Sequence, residues 1–296
     1  MGGETEVVRL AAGEMEAGLV PEIGGSIAWL RWRGIDLMRP LGEADLAAWN
    51  VLGVACFPML PYANRIAGNA FAFDGRLWRF EPNNPPERYN VHGTGWQRAW
   101  SVEEAGPTEV RLALEVEDGA YAYRAEQRLA IEGAALSVRM RLENRARRRA
   151  PFGFGLHPWF RREPDVTLRF GARHFYLEKP EHVAGDRVTL PAELDFAAAR
   201  ALPAGWRNND YGGWDGRAEI AWPSRGVRLT MTAEPVFGHL MLYADPARPF
   251  FCVEPQSNAA GAFNRQGGFD DPAEGIRILA PGEGMSGAVR FEAQAV

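Results

Sequence analysis

Leu136-Ser137-Val138-Arg139-Met140-Arg141-Leu142-Glu143 alternates apolar and polar side chains without a break. Period two marks a strand with one dry face and one wet face, because successive side chains leave a pleated strand on opposite sides. Val227, Leu229 and Met231 alternate with Arg228, Thr230 and Thr232 in the same way. Turn residues separate short apolar runs in Phe71-Ala72-Phe73-Asp74-Gly75-Arg76-Leu77-Trp78 and in Ala130-Ile131-Glu132-Gly133-Ala134-Ala135-Leu136, as hairpins require. Further strands are expected at 6–10, 26–32, 109–117, 165–170, 174–178, 218–222, 239–243, 250–254 and 276–279. Helical periodicity is confined to 43–50 and 193–201, each short and soon followed by Pro or Gly, so both read as connectors. No linker, composition shift or fixed-period repeat divides the chain. Residues 1–296 are therefore read as one all-β domain, a large antiparallel β-sandwich of two packed sheets.

The composition is that of a folded chain: 46% hydrophobic and 24% charged residues, with 33 Gly and 21 Pro to make many turns. A net charge of −5 gives no electrostatic reason to expect nucleic acid or an anionic membrane as partner. The one basic run, Arg145-Ala146-Arg147-Arg148-Arg149, follows the alternating strand and precedes a Pro151-Phe152-Gly153 turn, which suits a solvated loop. Met1-Gly2-Gly3-Glu4-Thr5-Glu6 lacks a basic segment followed by an apolar one, and no run of about 18 apolar residues occurs. A cytoplasmic protein is expected. Cys56 and Cys252 sit in apolar segments without metal-ligand spacing and read as buried, reduced thiols.

Four segments carry residues able to do chemistry: Pro61-Tyr62-Ala63-Asn64-Arg65-Ile66, His92-Gly93-Thr94-Gly95-Trp96, Gly155-Leu156-His157-Pro158-Trp159-Phe160, and Cys252-Val253-Glu254-Pro255-Gln256. Arg65 follows the apolar run Val54–Pro61, so its guanidinium needs either a structural carboxylate or a cavity whose ligand bears hydroxyls. His92 precedes two glycines that let backbone approach a ligand, although a histidine there could equally be structural. Trp96 and Trp100 read as core aromatics, with Trp96 also near enough to the motif to stack on a sugar ring. His157 lies among Phe152, Phe154, Trp159 and Phe160, in a setting that would shift its pKa. Glu254 ends the apolar run Phe250–Val253, where a carboxylate is tolerated if it faces a polar cavity. Asn258 and Asn264 follow, as turn formers or as site lining.

In order and chemistry these segments resemble the aldose 1-epimerase (galactose mutarotase) family. Asn64-Arg65-Ile66 is similar to its sugar-binding Asn-Arg-Ile signature, and Gly155–Phe160 to its Gly-x-His-Pro-Tyr-Phe stretch with Trp159 in place of Tyr. Glu254-Pro255-Gln256 resembles its Glu-x-Gln element. The resemblance implies a galactose mutarotase-like β-supersandwich and cofactor-free, metal-free interconversion of the α and β anomers of a monosaccharide. It implies Glu254 as catalytic base and His157 as catalytic acid, with His92, Arg65, Asn64 and Trp96 holding substrate. The family's substrate-binding Asp, in an Asp-x-x-Phe segment, aligns with Asn208, and Asp210 is the neighbouring substitute. A monomer or homodimer is expected. On these roles a bell-shaped pH profile would have Glu254 on its acid limb and His157 on its basic limb. One alternative is a hexose-6-phosphate 1-epimerase of the same fold, for which Arg98 and Arg88 are the only nearby phosphate-binding candidates, so phosphorylated sugars are expected to bind no better than their parents. Others are a non-catalytic carbohydrate-binding or sensing module, and a metal enzyme using His92, His157 and Glu254.

Overall fold

A computed structural model of the protein describes residues 7–296. The first six residues, and with them Glu6 at the start of the expected 6–10 strand, lie outside the described residues; that strand is Val8–Ala12. The chain is built from antiparallel strands with almost no α-helix. One sheet of eleven strands runs, in spatial order, Val8–Ala12, Met15–Val20, Ser26–Trp32, Cys56–Met59, Gly155–Arg161, Phe250–Gln256, His239–Ala244, Arg207–Gly212, His174–Lys179 and Val183–Thr189, with Ile35–Asp36 alongside Ser26–Trp32. A second sheet of nine runs Ser101–Ala105, Glu109–Glu117, Ala122–Glu132, Ala135–Asn144, Gly284–Ala295, Val227–Ala233, Arg217–Trp222, Thr167–Phe170 and Arg200–Ala201.

The alternating stretch lies near the middle of this second sheet. Leu136, Val138, Met140 and Leu142 are all buried, in one apolar cluster with Leu10, Leu19 and Leu30 of the first sheet. Strands Val8–Ala12 and Met15–Val20 lie directly against Ala122–Glu132 and Ala135–Asn144, so the two sheets face each other as a sandwich. The hairpin at 130–136 turns at Gly133, whose φ of +59° is costly for a residue with a Cβ.

The first sheet is buried on both faces at its centre. Cys56, Leu156, Phe160, Leu240, Leu242, Phe251 and Val253 point into the sandwich core. Phe57 points the other way, into a second apolar cluster with Val20, Val54, Val91 and Trp96 beneath the loops of residues 49–100. Apolar residues are therefore needed at nearly every position of Cys56–Met59 and Gly155–Arg161, and the period-two signal disappears there.

Of the two expected helices, 43–50 contains a helix at Glu43–Ala47, while 193–201 is corrected. The latter forms one 3₁₀ turn at Ala192–Leu194 and an edge strand at Arg200–Ala201. Its backbone groups pair sideways rather than along a helix: Phe196 O accepts from Phe170 N and Ala197 O from the Arg169 guanidinium. The Phe196 ring stacks on Phe170, 5.0 Å between centroids, which holds the segment extended against the sheet. Arg145–Arg149 is a loop, with Arg145 paired to Glu143 and Arg149 to Asp74. Cys56 and Cys252 are buried and unpaired. Among the described residues, no helix is long and apolar enough to cross a membrane.

Leu142 is fully buried between the sheets, so Leu142→Ala should lower the unfolding free energy by about 2–5 kcal/mol through lost transfer energy and a residual cavity. Urea denaturation measures this, and a loss below about 1 kcal/mol would mean that the strand does not carry the core.

Candidate active site

On the face turned away from the sandwich core, adjacent strands of the first sheet present a floor of unlike side chains. Glu254 stands opposite Met241, and Met241 opposite Asp210; one step along, Cys252 stands opposite both Trp159 and Tyr243, and Tyr243 opposite Asn208. His157 pairs with Phe57 on its other side. Above this floor is a cleft of ≈ 450 Å³, whose lining includes Asn64, Arg65, His92, Trp96, His157, Asn208 and Glu254. Four segments far apart in sequence are thus brought together, with all the expected site residues except Asp210.

The loop holding Asn64 and Arg65 is interlocked with the His92 turn. His92 N–H donates to Asn64 O, and Asn64 N–H donates to His92 Nδ1 at 3.0 Å. His92 Nδ1 is therefore unprotonated, and Nε2 carries the hydrogen. Burial, with the nearby His157 and Arg65, holds the His92 pKa well below the usual histidine range, so the ring stays neutral. Gly93 has φ +63°, and a Cβ there would meet Leu60 O at 2.3 Å, so only glycine fits the turn. Arg65 lines the cleft and also has a carboxylate partner: Nε and Nη2 reach Glu87 Oε2 at 3.1 and 3.0 Å. Both sequence readings of Arg65 hold together, since Glu87 fixes a guanidinium that still borders the cavity.

His157 Nε2 lies 3.3 Å from Glu254 Oε1, and Gln256 Nε2–H donates to the other Glu254 oxygen at 3.1 Å. Phe57 stacks on the imidazole at 4.5 Å and Trp159 packs on it at 4.7 Å, excluding water. Burial pushes Glu254 up to about 8, against the opposing hydrogen bond from Gln256 and the charge of Arg65. Burial likewise pushes His157 down to about 3. Both shifts disfavour the charged form, so at neutral pH the pair holds one proton and the proton sits on Glu254. The expected limbs of the pH profile are thereby exchanged: loss of the shared proton at high pH belongs to Glu254, and gain of a second at low pH to His157.

Asp210 does not line the cleft. Its Oδ2 accepts from Ala260 N–H at 2.8 Å and faces His239 Nδ1 at 3.2 Å, both side chains being almost wholly buried. His239 Nε2 lies 3.0 Å from the Ala273 carbonyl, which only accepts, so Nε2 carries a hydrogen. Although burial opposes its charge, Asp210 and the Ala273 carbonyl raise the His239 pKa, which favours the imidazolium with Nδ1 facing Asp210. The cleft position goes instead to Asn208, whose Nδ2–H donates to Glu178 at 3.0 Å. Trp96 contributes a wall: it is buried, donates to Gly93 O at 2.9 Å and stacks on Phe57 at 5.1 Å. Asn258 and Asn264 brace the loop of residues 63–70 through its backbone and are structural.

Sequence reasoning missed Arg39, Glu87, Tyr243 and Arg248, all of which border the cleft. Arg39 lies in Leu37-Met38-Arg39-Pro40, without any motif to single it out. Among the described residues, the grouping of His, Cys and carboxylate ligand atoms tight enough for a metal is His157, Cys252 and Glu254, within 4.8 Å of one another. His92 is not part of it, and burial beside Glu254 holds the Cys252 thiol well above its usual range.

In ¹⁵N NMR spectra the His157 ring should show neutral imidazole shifts from pH 7 to pH 5, while His239 should show two protonated nitrogens at pH 6. A His157 ring that gains a proton in that interval would refute the one-proton neutral pair.

The model of the aldose 1-epimerase family matches residues 6–292. The chain is 33% identical over 273 residues to the uncharacterised Escherichia coli K12 protein YphB, covering 89% of this chain and 91% of that one. A crystal structure from the same organism, provisionally named an aldose 1-epimerase, superposes with TM-score 0.91 at 29% identity over 98% of this chain and 99% of that one. A galactose mutarotase-like protein from Clostridium acetobutylicum shares the fold, with TM-score 0.83 at 17% identity over 97% of this chain and 95% of that one. The chain belongs to the aldose 1-epimerase family.

Proposed function

We propose that the protein interconverts the α and β anomers of an aldose by acid/base catalysis between His157 and Glu254. The observation that carries this reading is the buried one-proton pair, 3.3 Å apart, on the floor of a cleft of monosaccharide size. Ring opening breaks the C1–O5 bond; the O1–H proton leaves to a base and O5 gains a proton from an acid. Rotation about C1–C2 in the free aldehyde, followed by the reverse transfers, closes the other anomer. The cycle needs one mobile proton on the enzyme at each stage, which is the number the pair holds.

In the empty cleft that proton rests on Glu254. A sugar hydroxyl donated to Glu254, added to the pull of Arg65, favours the carboxylate and moves the proton across to His157, which then faces the ring oxygen as the acid. The neutral His92 offers its Nε2–H as a donor to substrate oxygen without competing for the proton. Asn64, Arg65 and Asn208 supply further polar contacts for hydroxyl groups, and Trp159 supplies an apolar face. A binding module would gain nothing from a buried, desolvated His–Glu contact, which is costly to fold around.

Exchange NMR on a panel of aldoses tests the reading. His157→Asn and Glu254→Gln should each lower kcat by about 10²–10⁴-fold while sugar still binds, whereas Arg65→Ala should raise KM at least as much as it lowers kcat. Dialysis against EDTA should leave the rate unchanged. The kcat/KM profile should fall above about pH 8, where Glu254 loses the proton the cycle needs, and stay level from there to pH 5 because His157 titrates only near 3. Near-wild-type turnover in either folded pair variant would falsify the assignment, and a rate restored only by added zinc would point to metal chemistry.

A further inference from the structure

Arg39 is a half-buried cation with no ion-pair partner among the described residues. Its guanidinium is sandwiched against Trp159 and Phe250, 4.5 and 4.8 Å from the ring centroids, and Nη2 donates to the carbonyls of Leu52 and Val54. Nε is buried without a partner, and among the described residues Arg39 forms no ion pair. Asp45, on the neighbouring helix, uses Oδ1 to accept from Asn50 at 2.7 Å. Backbone carbonyls carry partial charge only, so the cost of desolvating this guanidinium is offset in part, by the nearby charge of Asp45, and its pKa stays lowered. Arg39 nevertheless borders the cleft, and so does Arg248, a largely exposed side chain at its rim with a loose 3.7 Å contact to Asp245.

The charges lining the cleft are unbalanced. Three guanidiniums, Arg39, Arg65 and Arg248, face two carboxyl groups, Glu87 and Glu254. Glu87 is taken up by Arg65, and burial keeps Glu254 protonated at neutral pH. The cleft position beside Tyr243 is the neutral amide of Asn208, while the nearby carboxylate of Asp210 is turned to His239. Arg88 and Arg98 do not help: Arg88 pairs with Glu181, Arg98 with Asp118, and neither borders the cavity.

Spacing places the excess charge relative to the chemistry. Trp159 lies two residues beyond His157 on the same face of one strand, about 6.6 Å along it, and Arg39 is seated on the Trp159 ring with its backbone N–H donating to Trp159 O at 2.8 Å. The exocyclic carbon of a pyranose lies nearer the anomeric carbon than this, and an anionic group attached beyond that carbon spans the remainder. We propose that the substrate is an aldose bearing an anionic group, carboxylate or phosphate, at the end remote from C1, with Arg39 as its partner and Arg248 guarding the rim. The inference rests on the mutarotase reading of the same cleft, and it replaces the expectation that charged sugars bind no better than neutral ones. With Nη2 committed to two carbonyls and Nε buried, Nη1 is the donor left for either anion, and the two rings hold it in place.

The test compares glucose, glucuronate and glucose 6-phosphate in exchange NMR and, separately, in binding titrations read by the fluorescence of the cleft tryptophans. At least one acidic sugar should show a KM and a dissociation constant ten-fold or more below those of glucose, and which of the two does so identifies the anion. Arg39→Gln should lower kcat/KM for that sugar at least ten-fold more than for glucose. Arg248→Gln, at an exposed position where folding is not at stake, should act in the same direction by a smaller factor. Equal affinity for all three sugars, or equal losses for charged and neutral sugars in both variants, overturns the proposal. Tight, Arg39-dependent binding of an acidic sugar without anomer exchange would instead overturn the mutarotase reading and leave this one standing.

Discussion

A carboxyl and an imidazole 3.3 Å apart, walled by Phe57, Trp159 and Trp96, set the terms for the rest of the site. In water such a pair would ionise as carboxylate and imidazolium. Here desolvation acts on both partners in the same sense and opposes charge on either. The outcome is one proton held over a wide pH range, resting on Glu254 while the cleft is empty. The neighbours fit that state. Gln256 fixes one oxygen of Glu254, Glu87 absorbs most of the charge of Arg65, and the hydrogen bond from Asn64 N–H keeps His92 Nδ1 free of a proton.

The two sheets divide the work. On the outer face of the second sheet, arginines and glutamates alternate across strands: Arg124 meets Glu103, Glu115 and Glu126, Arg128 meets Glu109, and Arg139 meets Glu234. Apart from Arg124–Glu126, within one strand, and Arg139–Glu234, whose carboxylate follows the strand Val227–Ala233, these are cross-strand pairs, each contributing little individually, and they accept the nearly all-Arg basic composition without consequence for the site. The first sheet has no such freedom at its centre. Each strand there sends alternate residues into the sandwich core and into the cleft, so a one-residue slip of register would exchange Phe251 and Val253 for Cys252 and Glu254. Packing of the core thus fixes the position of the Glu254 carboxyl.

What the sequence revealed follows from that division. Period-two strands of the second sheet were legible because one face is wet, as at Leu136–Glu143. The strands at the floor of the cleft, Cys56–Met59 and Gly155–Arg161, have no alternation to read, and only their motif residues betrayed them. His157, Glu254, His92, Asn64 and Arg65 were recognisable because glycine, proline and aromatic neighbours surround them in fixed order. Arg39 was not, since its role arises from a backbone hydrogen bond to Trp159, across 120 positions of sequence. Segment 193–201 failed for a related reason: its alanines favour helix locally, but the Phe196 ring is captured by Phe170 and Tyr211, and tertiary contact overrides propensity.

The choice between Asn208 and Asp210 shows how a β-sheet resolves what an alignment leaves open. The two side chains leave the same face of one strand, two residues apart, and either could have served as the polar group beside the sugar. Their partners across the sheet decide. Asn208 stands opposite Tyr243 and borders the cleft, whereas Asp210 stands opposite Met241 and is closed over by Ala260 and His239. A carboxylate so deep needs a cation, and His239, with Nε2–H already committed to Ala273 O, is placed to provide one through Nδ1–H. The chain thereby keeps an acidic residue in this strand as a neutralised structural pair, and presents the cleft with an amide. Removing a negative charge from the cleft while leaving Arg39 unpaired in it shifts the local balance in one direction only, toward ligands that bring an anion with them.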